Sequence, residues 1–98
     1  MKRPFAVLRT HGPNWDESRS LEEQTDWPAH ASFMNALDHD GFVAVGGPLE
    51  GTQDTLLVIQ AENAAEITQR LSADPWTQSG LLIVKACWPW EIRLGSLG

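Results

Sequence analysis

The chain has 98 residues, 42% of them hydrophobic and 20% charged, and thirteen acidic against seven basic side chains give a net charge of −6 with His neutral. That length supports one hydrophobic core, and the composition is that of a compact folded chain rather than a disordered or fibrous one. The acidic balance works against binding a nucleic acid or an anionic membrane surface, and no apolar run approaches the roughly 18 residues of a membrane span.

Residues 4–9, "PFAVLR", fit a first strand. The apolar run there is short and broken by Arg9, so no secretory signal is read from it and the expected location is the cytoplasm. "HGPNWDESRS" breaks the strand into a loop. Pro28 suits the opening turn of a first helix, where a missing N–H costs nothing, and Thr25 or Asp26 is expected to cap it. The helix should run to about Asp40 and end on Gly41 in a left-handed conformation. His30 heads an apolar stripe in it, with Phe33, Met34 and Leu37 three, four and seven positions on.

"FVAVGG" (42–47) is a second strand, stopped by "GGPLEG". "TLLVIQ" (55–60) is a third, continuous in its apolar character. "ENAAEITQRLSAD" reads as a second helix: Asn63 and Glu66 have capping-box spacing, and Ala64, Ile67 and Leu71 form one stripe. Asp74 and Pro75 suit the N-cap and first turn of a short helix "PWTQSG". "GLLIVKACWPW" is the fourth strand, with Pro89 near its exit. Cys87, the sole cysteine, is expected there as a small buried apolar side chain and forms no internal disulfide.

The order β-α-β-β-α-β is that of a ferredoxin-like α+β fold, a four-stranded antiparallel sheet with both helices on one face. The opposite face is apolar as well. In the third strand Leu56 and Val58 oppose Leu57 and Ile59; in the fourth Leu81, Ile83, Lys85 and Cys87 oppose Leu82, Val84, Ala86 and Trp88. Helices cover only one side, so the pattern predicts a homodimer packed sheet against sheet.

Several motifs fail on inspection. The glycines of "GFVAVGGPLEG" lack the Lys and Ser or Thr of a phosphate loop, and the aliphatic third strand lacks the aromatics of an RNA-binding sheet. His11, His30 and His39 with Asp38 and Asp40 invite a metal reading, but nine residues put His30 and His39 on opposite sides of a helix, so no metal is expected. His39 reads as a solvated helix C-terminus. Taken alone, His30 reads as a buried histidine satisfied by Asp26 one turn earlier. Arg9 has two readings, a ligand for an anionic substrate or half of a salt bridge. Trp15 in the first loop reads as a lid over a pocket near His30 or as plain packing, and Trp76 as closing one end of the core.

"PAHASFMNALDHDGFVAVGGPL" and "RLSADPWTQSGLL" resemble the YCII-related (YciI-like) family, in its Pro-Ala-His helix leading to a small-Gly-Pro-apolar turn and its Asp-Pro-aromatic segment before the last strand. The resemblance covers nearly the whole chain, residues 1–98 forming a single such domain, and "GPNWDESRSLEEQTDW" looks like the branch with a longer, tryptophan-bearing first loop. It implies a dimeric α+β barrel and a His-Asp active-site pair, carried here by His30 and Asp74. A carboxylate on one ring nitrogen fixes the tautomer and raises the basicity of the other, giving an acid/base group near neutral pH. One relative resembles a dehydrochlorinase acting on a hydroxylated aromatic ring.

The expected function is therefore lyase or isomerase chemistry on a small cyclic or aromatic substrate, dehydrochlorination included. His30 would act as base, Asp74 would orient it, and Arg9, Trp15 and Trp76 would line the substrate. No organic cofactor or metal is implied. The alternatives are a non-catalytic ligand-binding or accessory dimer with the same pocket, and a small structural partner of a larger enzyme. Fold alone does not decide among them.

Overall fold

The computed structural model of the chain describes residues 1–96; the last two residues of the 1–98 domain lie outside that range. Strands β1 (Arg3–His11), β2 (Val43–Pro48), β3 (Asp54–Ala61) and β4 (Leu82–Pro89) form one sheet in the order β2-β3-β1-β4, every neighbouring pair antiparallel. Helix α1 (Trp27–His39) links β1 to β2, α2 (Ala64–Leu71) and the four-residue α3 (Pro75–Gln78) link β3 to β4, and a 3-10 turn, Leu21–Glu23, precedes α1. This is the ferredoxin-like α+β order expected from the sequence, with the short third helix serving as the lead into β4.

Two-residue periodicity sets the sheet's faces. Phe5, Val7 and Arg9 of β1 are buried and alternate with half-buried Ala6, Leu8 and Thr10. Phe5 and Val7 stand opposite Ile59 and Leu57 of β3, and all four join Leu37 of α1 and Ile67 and Leu71 of α2 in the core. The α1 stripe behaves as its spacing predicts: His30 and Leu37 are buried, and Phe33 and Met34 pack half-buried against the core. In α2, Ile67 and Leu71 are buried but Ala64 is exposed.

β4 departs from strict alternation. Its register against β1 shifts between Leu8 and Arg9, which pair with Ala86 and Val84, so Lys85 is left over as a bulge. Leu82 and Val84 therefore share the helix side with Cys87, while Ile83, Ala86 and Trp88 lie on the other face opposite Thr10, Leu8 and Ala6. The expected face assignments hold only on either side of Lys85, whose Nζ donates to Asp54 Oδ2 at 2.8 Å. The outer face remains apolar, and in the single chain Val45, Ile83 and Trp88 are each about half exposed on it. Trp90, just past the strand, is also exposed.

Two expected caps differ in detail. Asp26 is the N-cap of α1, but its φ of 63° is left-handed and its side chain caps nothing; neither does that of Thr25. Side-chain capping needs an extended backbone at that position, which aims the carboxylate at the first-turn amides. In α2, Asn63 Oδ1 accepts from the Glu66 amide at 2.9 Å, but Glu66 reaches back to the Glu62 amide rather than to that of Asn63. Gly41 ends α1 with a φ of 84°, as expected.

Candidate active site

Three elements bring three polar side chains to one buried point. β1 carries Arg9 on its helix-facing side, the first turn of α1 carries His30, and the N-cap of α3 carries Asp74. Arg9 is 2% exposed, His30 8% and Asp74 0%, which is unusual burial for charged residues and requires pairing. His30 Nδ1 lies 2.9 Å from Asp74 Oδ1 and 3.0 Å from Oδ2, so against the carboxylate this nitrogen is the donor. Arg9 Nη1 donates to Asp74 Oδ2 at 2.9 Å, and Arg9 Nη2 to Thr77 Oγ1 at 2.7 Å. Asp74 also caps α3, its Oδ1 accepting from the Trp76 amide at 2.9 Å. The capping role and the histidine contact thus coexist on one carboxylate.

Burial by itself pushes the Asp74 carboxyl upward. The hydrogen bonds from His30, the Trp76 amide and Arg9 outweigh it and hold the group below its ordinary value, as a carboxylate. Asp26, the partner expected from sequence alone, gives His30 only backbone: its carbonyl accepts from the His30 amide at 3.0 Å. Nε2 of His30 makes no hydrogen bond to any described residue. Its ring lies flat on Trp76, with centroids 3.8 Å apart and planes 7° from parallel, and that stack fixes the imidazole plane. A histidine so held can take a proton at Nε2 while Nδ1 stays bonded.

Arg9 and His30 border a cavity of about 390 Å³ between the sheet and α1. Arg9, Trp15, His30 and Trp76 all line it; Asp74 stands behind His30. Trp76 is fully buried, its indole N–H donating to the Thr25 carbonyl at 2.6 Å, and packs with Leu81 and Leu82 in a small cluster beside the main core. Trp15 meets Trp76 edge-on at 5.4 Å and stacks on His11 at 3.9 Å. It is a wall of the cavity within a pinned loop: buried Gln24 donates to the Asp16 and Arg19 carbonyls and accepts from the Asp16 amide. Arg9 forms the salt bridge that was one of its two readings, and both terminal nitrogens are engaged by protein groups.

Sequence reasoning missed other lining residues. Trp27 tilts against both Trp76 and His30, Met34 approaches Arg9 Nη1 with its sulfur, and His11 brings a second carboxylate partner, Glu17, with Nδ1 3.1 Å from Oε1. Trp27 sits beside Pro28 in "DWPAH" and had a local signal. Thr77 had none, because its partner Arg9 is on β1, and Gln24 had none, because it bonds backbone groups five and eight residues back. His39 lies at the opposite end of α1 from His30.

The chain is thus an α+β protein with a ferredoxin-like sheet and a histidine–carboxylate pair under its helices, beside an aromatic-lined cavity. The chain belongs to the YCII-related family, whose domain model matches residues 4–91. Comparison with curated proteins returns no match. Among solved structures, the chain is similar to the 5-chloro-2-hydroxyhydroquinone dehydrochlorinase TftG of Burkholderia phenoliruptrix AC1100, solved in complex with 2,5-dihydroxybenzoquinone. The match covers 94% of this chain and 95% of that one, at 24% identity and a TM-score of 0.62. The two proteins share a fold.

Proposed function

We propose that the protein is a small-molecule enzyme of lyase or isomerase type. His30 removes a proton from a small cyclic or aromatic substrate, and Asp74 holds the imidazole in its Nδ1–H tautomer. The observation that carries this reading is the contact of His30 Nδ1 with Asp74 at 2.9 Å beside a cavity, with Nε2 unpaired among the described residues. A cavity of about 390 Å³ lined by Trp15, Trp27 and Trp76 suits one ring, and Trp15, Trp76 and Arg9 border its place. In dehydrochlorination, the chemistry of TftG, a substrate proton passes to Nε2, its bonding pair moves into the ring, and the carbon–chlorine bond breaks to release chloride. In an isomerase the same nitrogen returns the proton at another position. Residues 1–98 act as one such domain, within a homodimer closed through the outer sheet face.

The test is chloride release from chlorinated dihydroxy- and trihydroxybenzenes, with ring binding followed separately by quenching of tryptophan fluorescence with 2,5-dihydroxybenzoquinone. Wild type turns over at least one such compound; His30→Gln loses about 100-fold or more in turnover while still binding the quinone. Turnover by His30→Gln equal to wild type removes His30 from the mechanism. Quinone binding without turnover of any compound makes the protein a binding module instead.

A further inference from the structure

We propose that Arg9 is a positioning residue for the His30–Asp74 pair: its guanidinium occupies one oxygen of Asp74 and so keeps the His30 ring neutral, with its proton on Nδ1. The inference rests on the function proposed for His30 and assigns the control of that residue's charge state. Its basis is geometric. Arg9 Nη1 and His30 Nδ1 lie 2.9 and 3.0 Å from the same atom, Asp74 Oδ2, in a site where all three side chains are buried.

A carboxylate alone beside an imidazole favours the imidazolium, because the result is a neutral ion pair. Here Asp74 is already neutralised by Arg9. A proton added to His30 would leave the buried trio with a net positive charge and two cations on one oxygen, an arrangement that burial disfavours. Asp74 therefore acts as an acceptor that orients the ring without making it cationic. A base must be unprotonated to work, and a neutral ring with its proton on Nδ1 leaves the Nε2 lone pair free.

The other charged groups near the cavity have partners of their own. His11 of β1 is 3.1 Å from Glu17 of the first loop, and Asp54 of β3 is 2.8 Å from Lys85 of β4. Asp26, at the start of α1, is exposed; α3 contributes no charged residue beyond its N-cap. Arg9 is the one cation in contact with the pair among the described residues. Its Nε is buried without a hydrogen-bond partner, so as a packing element it is poorly satisfied, and a methionine would fill the same space without that orphan donor. Thr77 Oγ1 fixes the far side of the guanidinium.

The experiment is an NMR titration of the histidine ring signals in wild type, Arg9→Met, Arg9→Lys and Asp74→Asn. Arg9→Met raises the His30 titration midpoint by about one pH unit, a tenfold gain in proton affinity, and Arg9→Lys, which keeps the cation, restores most of it. Asp74→Asn lowers the midpoint. A packing role alone would weaken the fold of both Arg9 variants without moving the titration of a single ring. An unmoved or lowered midpoint in Arg9→Met, with Asp74→Asn still lowering it, overturns the role of Arg9 and leaves the pair intact. No shift in Asp74→Asn removes the pair itself, and with it the proposed function. If Arg9→Met does not fold, wild type decides: ring nitrogen shifts at pH 7.5 show a neutral imidazole with its proton on Nδ1, and a cationic ring or an Nε2–H tautomer overturns the inference.

Discussion

Asp74 accepts hydrogen bonds from three elements at once: from the amide that starts α3, the imidazole of α1 and the guanidinium of β1. Its carboxyl is held below the ordinary value in the folded chain, so the folded state prefers it ionised more strongly than the unfolded state does. The stability this supplies is fully present above the unfolded value, near pH 4, and disappears as the pH falls through the lowered folded value. Asp74→Asn keeps the shape but leaves Arg9 a buried, unpaired cation, which costs about 3–5 kcal/mol at pH 7. Urea unfolding followed by tryptophan fluorescence at pH 7 and pH 3 measures both effects. The variant is much weaker at pH 7 and loses less than wild type on acidification. A wild-type-like acid slope in the variant would show that other carboxylates carry the pH dependence.

The first loop is the element that turns a core into a cavity wall, and it depends on a close backbone crossing. The Gly12 amide donates to the Leu81 carbonyl at 2.8 Å and the Asn14 amide to the Gly80 carbonyl at 3.0 Å, with Gly80 at a φ of 76°. A Cβ at Gly12 would collide with the Gly80 carbonyl, which is backbone and has no rotamer to yield. Gly12→Ala should thus destabilise by about 1–3 kcal/mol and shift Trp15 off Trp76, seen as a changed near-ultraviolet dichroism signal. An unchanged signal with unchanged stability would mean that the crossing gives way freely. Little of this was legible beforehand. The strands and helices followed from apolar periodicity and from Pro28, Gly41, Asn63 and Asp74, which act within a few residues of themselves. The Lys85 bulge depends on its pairing with β1, and the Gln24 anchor on backbone groups five and eight residues back, so local pattern reasoning missed both. The same distinction holds in the site. His30 and Asp74 are 44 residues apart in sequence, and it was the family resemblance, not any spacing, that singled them out together. Arg9 was visible as a charge inside an apolar strand, but its partner was not.

At the scale of the molecule, the unresolved demand is the outer sheet face. Ala6, Leu8, Leu56 and Val58 of the two central strands lie on it between Val45 of β2 and Ile83 and Trp88 of β4. The three flanking residues are about half exposed in the single chain, which is a large apolar surface to leave in water on a domain this small. A second copy offers the same surface, and a two-fold arrangement would bury both copies of it at once. Sedimentation equilibrium at micromolar concentration should accordingly give twice the chain mass of 10.9 kDa. Trp88→Glu and Val45→Glu put a charge on that face and should each reduce the mass to that of one chain. The cavity lies on the helix side of the sheet, between β1, β3 and α1, so the His30 titration should survive in these variants even where the dimer does not. A wild-type protein that sediments as a monomer would refute the sheet-to-sheet pairing. A dimer that persists in both variants would place the contact on another surface, and the exposed Trp88 and Val45 would then need a different explanation.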